Sequence, residues 1–244
     1  MEVTLAAEKI ATLGPLPITN TILTTWLVTF ILITFAAAAT KKVALVPNGI
    51  QNLAESMVEA FQNLVESIAG ERTKVFLPIV ASFFFFILFG NYFGLLPGVG
   101  SIGFFERHEG HEVFVPLLRS INSDLNTTVA LAIVSLVTTH FLSVKYLGFG
   151  GYLGKFLSLN PIFLFVGILE LIGEVTKIFS LSFRLFGNIF AGEVLLTTAS
   201  TKLAAFIIPI PFYFLEILIG FVQALIFAML TLVFMVILTN KSGH

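Results

Sequence analysis

Two apolar stretches near the carboxyl end, residues 159–198 and 203–239, run far longer than ordinary globular helices. No group in hydrocarbon can satisfy an exposed backbone N–H or C=O, so helices are the form open to such runs. Three further runs, at about 21–39, 75–96 and 127–146, are each long enough to cross a bilayer. Forty helical residues at about 1.5 Å each cover about 60 Å, roughly twice the hydrocarbon thickness. The terminal pair must therefore tilt steeply, bend, or contain an extra hairpin. Its polar side chains favour long tilted helices packed against protein. The expectation is an all-α polytopic membrane protein: one membrane domain over residues 1–244 with about five crossing helices.

Composition supports this reading. Of 244 residues, 57% are hydrophobic and only 11% charged, where a soluble domain carries about 25% charged residues. The run "FFFF" at 83–86 is read as lipid-facing or inter-helix packing, with no chemistry. A net charge of −1 argues against a nucleic-acid partner. With no cysteine, disulfides, thiolate metal sites and cysteine catalysis are excluded. The amino terminus lacks the basic region and cleavage site of a secretory signal, so no cleaved targeting peptide is expected.

Residues 47–70 differ in kind. Leu53, Met57, Phe61, Leu64, Val65 and Ile68 recur at three and four, with Glu55, Glu59, Gln62 and Glu66 between them. That pattern predicts an amphipathic helix on the membrane surface or on a neighbour, with Pro47 and Gly70 suited to its ends. Residues 98–126 are read as a polar loop, and "TTASTK" as the separator of the last two segments, with breaks near Pro209 and Pro211.

An outside amino terminus leaves Lys41, Lys42, Arg72, Lys74, Lys145, Lys155 and Lys241 inside, against Lys9, Arg107, Arg119 and Lys202 outside. The basic bias favours that orientation, with the carboxyl terminus inside.

Six ionisable residues fall in the last two apolar segments: Glu170, Glu174, Lys177, Arg184, Glu193 and Glu216, joined by Asn188 and Gln223. Charge at bilayer depth is unfavourable by a few kcal/mol on insertion scales, and such residues commonly mark an ion or proton route. Glu170, Glu174 and Lys177 share a face and can pair; neutralised structural charges explain that trio as well as a route does. Ser180, Arg184, Gly187, Asn188 and Ala191 form a second stripe, small except for Arg184 and Asn188, into which a neighbouring backbone can come close. Glu193 is nine positions past Arg184, about half a turn round and roughly 13 Å along the axis. The two are poor salt-bridge partners. No carboxylate stands three or four residues from Arg184, so its counter-charge is expected on another subunit. Glu216, Gly220 and Gln223 line one face of the last helix.

Weaker signals stay open. Asp124 and Asn126 precede a hydrophobic helix and suit a helix cap as well as a channel mouth. His140 suits a proton relay or a hydrogen-bonded packing residue. His108 and His111 in "RHEGHE" are read as solvated loop histidines, and no metal site is expected.

The stretch "KIFSLSFRLFGNIFAGEVLL" closely resembles the signature of subunit a of F-type ATP synthases, the stator channel subunit beside the rotating c-ring. "PITNTILTTWLV", "INSDLNTTVALAI" and "PFYFLEILIGFVQALIFAML" resemble that family's first span, central span and last helix, so the likeness covers most of the chain. The resemblance implies that Arg184 is the essential arginine, Asn188 the asparagine one turn on, Glu193 the acid of a half-channel, Glu216 a position where the family carries a glutamate or histidine, and Gln223 the rotor-facing glutamine. Glu170 and Lys177 fall on recurrent polar positions. Ile178 departs from the proline that many members carry there. The resemblance further implies a long tilted hairpin against the c-ring, contact with peripheral-stalk b-type subunits and lipid, a bacterial inner membrane, and proton translocation through two offset half-channels coupled to ATP synthesis. No cofactor is expected. The chain has no GxxxxGK[ST] loop, so ATP chemistry is expected on another subunit and this one acts as a non-catalytic channel component. The rival reading is a stand-alone ion-coupled secondary transporter. Such folds show paired repeats, whereas the charged residues here concentrate in the final third.

Overall fold

The computed structural model describes residues 7–14, 16–41, 43–47, 49–96, 98–108, 111–156, 160–202 and 209–240. Residues 159, 203–208, Lys42 and Lys241, which enter the segment and orientation arguments, lie outside these, as do the side chains of Arg107, His108, His111 and Lys202.

The protein is an all-α polytopic membrane protein. A short hairpin, β1 (Lys9–Leu13) and β2 (Leu16–Thr19), leads into α1 (Asn20–Thr40). The Thr19 hydroxyl caps α1 by accepting from the Ile22 N–H, satisfying one of its orphan donors. Helix α2 (Gly49–Ala69) is the amphipathic one, burying Phe61 and Val65 while Leu53, Val58 and Leu64 stay exposed. A turn then leads into α3 (Thr73–Gly94).

Residues 98–126, expected as a plain loop, contain structure. β3 (Gly103–His108) pairs antiparallel with β4 (His111–Pro116), and a 3-10 turn at Ile121–Ser123 precedes α4 (Leu125–Phe156). The hairpin was hidden because its strands carry little period-2 alternation across Gly103 and Glu106. Helix α4 breaks at Gly148, whose φ of 73° and ψ of 163° fall in a region open essentially to glycine. α5 (Pro161–Lys202) runs unbroken through Ile178 and on through the expected "TTASTK" separator. Threonine and serine there keep the helix by bonding backward, as Thr197 does to the Glu193 carbonyl. α6 (Pro209–Thr239) begins at proline, whose missing N–H matters least in a first turn.

Among the described residues, four helical stretches are long and apolar enough to cross a membrane: α1, the continuous stretch Gly49–Gly94 whose apolar part is α3, α4 and α6. α5 is longer, at 42 residues, and bears more charge. The core lies where α3, α4, α5 and α6 meet, around Phe76, Val80, Ile87, Leu185, Leu232 and Met235. The phenylalanine run divides: Phe83 packs on Phe227 and Phe84 stacks on Phe61 of α2, while Phe85 and Phe86 are half-buried.

Two ends of the bundle follow from contacts. At one, the loop end, the start of α1 meets the segment before α4: the Asn20 amide donates to the Pro116 carbonyl and the Thr21 hydroxyl to Asp124. At the other, Arg72 donates to Thr239, and Ser143 and Lys155 both donate to the Leu238 carbonyl. α5 therefore starts at the far end and finishes at the loop end, and α6 returns.

Candidate functional site

α5 organises the site, because its charges fall on different faces and at different depths. Ser180, Arg184, Gly187, Asn188 and Ala191 are all exposed, one continuous stripe on the outside of the bundle. The Arg184 Nη2 donates to Ser180 Oγ at 3.1 Å, and the Asn188 amide donates to the Arg184 carbonyl at 2.8 Å. Each bond spans one turn of the helix; the one to Ser180 holds the guanidinium over the stripe. Among the described residues, no carboxylate of this chain comes within ion-pair distance of Arg184. Gln223 of α6 meets Arg184 in a shallow groove with Leu181, Leu185, Ile226 and Phe227.

Half a turn away, Glu193 faces inward at the loop end. Its Oε1 lies 3.5 Å from Nε of Arg119, which is buried and also donates to Ser123 Oγ at 3.1 Å. Glu216 of α6 is buried beside it. Its carboxylate presses on the backbone of Gly192, where an added Cβ would overlap it. Together Glu193, Glu216, Asn91, Ser120, Thr197 and Tyr213 line a cavity of about 270 Å³ at the loop end. Glu193 Oε2 and Ser120 Oγ are buried without hydrogen-bond partners among the described residues. Orphaned polar atoms in a roomy polar cavity are the usual setting for ordered water. An amide clamp fixes the wall: Asn122 donates to Asn91 at 2.7 Å, and Asn91 donates to the Gly220 carbonyl at 3.0 Å, tying the turn before α4 to α3 and α6.

Toward the far end lies a second polar cluster. Lys177 Nζ donates to Glu174 Oε1 at 2.6 Å, and the other Glu174 oxygen is 3.6 Å from His140 Nε2 of α4. His140 Nδ1 is 3.0 Å from the Tyr152 hydroxyl. Glu170 is half-buried one turn below Glu174. Along α5, Glu174 and Glu193 are roughly 15 and 13 Å from Arg184, on opposite sides of it.

The sequence-derived residues thus separate into three groups. Arg184, Asn188 and Gln223 sit on the outer face, Glu193 and Glu216 at the cavity, and His140, Glu174 and Lys177 in the far cluster. Asp124 and Asn126 join none of them. Asp124 accepts from the Asn126 N–H as a helix cap and from Thr21 of α1, which makes it a fastener of α1 to α4. Sequence reasoning missed Arg119, Asn91, Asn122 and Gly192. Asn91 was detectable as a lone amide in an apolar span; Arg119 looked like an ordinary loop cation, because its burial depends on α5.

These features define a class: a polytopic helical membrane protein with an exposed arginine on the outer face of a long helix, without a carboxylate partner among the described residues, and polar clusters buried on either side of it. Residues 22–236 match the family described as ATP synthase A chain, and the protein belongs to that family. It is 34% identical over 222 residues to ATP synthase subunit a of Moorella thermoacetica, covering 91% of each chain. It is 36% identical over 214 residues to ATP synthase subunit a of Citrifermentans bemidjiense, covering 86% of this chain and 83% of the relative. A Bradyrhizobium protein, ATP synthase subunit a 2, is 33% identical over 222 residues, covering 91% and 89%. Membership carries ion translocation in ATP synthase as the task of the membrane sector in which the chain works.

Proposed function

We propose that this chain forms the stator side of a rotary seam, where Arg184 faces the acids of a c-ring and two offset half-channels deliver and remove protons. The observation that carries this reading is the exposure of Arg184 with no carboxylate partner among the described residues. A permanent cation at bilayer depth is costly unless a counter-charge arrives from outside.

The mechanism follows from electrostatics. A rotor acid can travel through lipid only when protonated. Beside Arg184 its carboxylate form is favoured by attraction, so the proton leaves into one aqueous route and another is collected from the second. The guanidinium holds its proton at any relevant pH and cannot relay one; it therefore also blocks a direct leak between the routes. The cavity at Glu193 and Glu216 is the half-channel open to the loop end. Asn188 and Gln223 steady the arginine's surroundings at the seam. α5 and α6 lie tilted against the ring, and peripheral-stalk b-type subunits and lipid cover other faces. Each proton contributes about 2.3 kcal/mol per 100 mV, so several must pass per ATP made, as a rotary gear allows. The membrane is a bacterial inner membrane, with the amino terminus outside and the carboxyl terminus in the cytoplasm.

Arg184→Ala in the reconstituted complex tests this directly. ATP-driven proton pumping should vanish while all subunits still copurify. Pumping that persists would overturn the proposal. Flux measured with and without sodium checks that the proton is the coupling ion.

A further inference from the structure

We propose that Glu174, His140 and Tyr152, with Lys177 positioning the Glu174 carboxylate, form the proton relay of the second half-channel, linking the arginine-bearing face of α5 to the aqueous face at the far end of α4. This assignment rests on the rotary reading above and supplies its missing route.

The four groups form one chain of contacts, at 2.6 Å from Lys177 to Glu174, 3.6 Å from Glu174 to His140, and 3.0 Å from His140 to Tyr152. Its inner end points to the seam. Lys177 is seven residues before Arg184, which at about 100° per residue puts it within roughly 20° of the same face and about 10 Å away. Its outer end lies at the far end of the bundle: Tyr152 follows the Gly148 break and stands three residues before Lys155, whose ammonium donates to the Leu238 carbonyl at the end of α6. Between them Glu174 is only 3% exposed.

A plain structural ion pair does not explain this arrangement. The Lys177 bond satisfies one carboxylate oxygen, but Glu174 Oε2 is buried without a hydrogen-bond partner and is directed at the histidine. A void of about 10 Å³ beside Glu174, Lys177, Ser135 and Thr139 is at the lower limit for a single water. Proton-transfer contacts are often long in a resting structure and tighten in the working complex. Among the described residues, Glu170, one turn before Glu174 on α5, and Lys155 of α4, in electrostatic range of both glutamates, also stand by the cluster; α6 contributes the Phe234 ring under Lys177.

The step balances. A rotor acid loses its O–H proton through water to Glu174 Oε2 and becomes the carboxylate that Arg184 attracts. Glu174 then gives the proton to His140 Nε2, breaking an O–H bond and forming an N–H bond. The imidazolium releases its Nδ1 proton to the Tyr152 oxygen as Tyr152 passes its own proton to water, and the ring resets its tautomer. One proton moves, and nothing is oxidised or reduced. Lys177 holds the Glu174 carboxylate in place between turns.

The test uses the intact ATP synthase in vesicles, reading ATP-driven pumping and, after removal of the catalytic head, passive proton flux. Glu174→Gln and His140→Ala should each lower flux by about tenfold or more, since a positioned acid–base group contributes roughly 10²–10⁴-fold. Imidazole added to the buffer should restore flux in His140→Ala, with a pH profile following the added base. Normal flux in Glu174→Gln, or a His140→Ala loss that imidazole does not restore, overturns the relay. If His140→Ala does not assemble, His140→Gln keeps a polar contact to Tyr152 but has no imidazole to take up a proton; lost flux then supports the relay and normal flux overturns it. Arg184→Ala, run alongside, separates the two readings. Should it pump normally, the rotary reading fails; should it be dead while Glu174→Gln is normal, the relay alone fails.

Discussion

At the scale of single residues, the chemistry proposed for Arg184 depends on one shape as much as one charge. Arg184 holds a planar fork over a stripe of small neighbours, donating to Ser180. Lysine would keep a cation there but present a compact point charge that can lose its proton when desolvated. Arg184→Lys is therefore expected to assemble normally, to lose most of its coupled ATP synthesis, and to leak protons without turnover; luciferase luminescence in vesicles reads the synthesis and acridine-dye quenching the leak. Gly192 makes a different demand. With the Glu216 carboxylate against its backbone, any side chain must displace that acid. Gly192→Val should lower pumping strongly, and a companion Glu216→Ala, which vacates the space, should relieve the overlap without restoring the acid. A double-mutant cycle on pumping rate is expected to show less than additive loss for this contacting pair.

At the scale of elements, the described helices are joined by few but specific polar ties. Asn91 connects α3 to α6 and to the turn before α4 through the Gly220 carbonyl and Asn122. Hydrogen bonds between membrane helices average about 0.6 kcal/mol and reach about 1.7. Asn91→Leu should cost about 1–2 kcal/mol, because the Gly220 and Asn122 groups lose a buried partner, and thermal inactivation of the complex measures it. Gly148 ends the straight part of α4 in a conformation that a Cβ disfavours. Gly148→Ala should destabilise by about 1–3 kcal/mol, read by the same assay. Such ties also show where sequence legibility stops. Helical character in the apolar stretches followed from the absence of water, and the amphipathic helix from its spacing of three and four. The β3–β4 hairpin and the unbroken run of α5 through "TTASTK" were not legible. A separator is recognised by polar residues, yet threonine and serine can satisfy themselves on the preceding turn and leave the helix intact.

At the scale of the whole molecule, the alternation of ends makes a prediction that the absence of cysteine renders easy to check. Leu96 at the loop end and Ser67 on α2 are both exposed. Leu96→Cys should react with an impermeant maleimide only from outside the cell, and Ser67→Cys only from the cytoplasmic side. Labelling from the same side would contradict the bundle's topology; labelling with the sides exchanged would invert the proposed orientation.

The sequence by itself determined the membrane class, the helical form of the long runs and the isolation of Arg184, because each depends on local quantities: apolar length, periodicity, and which charges lie within one turn. It also placed Glu193 on a different face from Arg184, by counting residues along one helix. Only the tertiary structure decided that Glu193 meets Arg119 and shares a cavity with Glu216, that Asp124 fastens α1, and that His140 stands opposite Glu174. Such pairings depend on the depth and rotation of one helix against another. Those are set by core packing among α3, α4, α5 and α6, and no periodicity within a single segment encodes them.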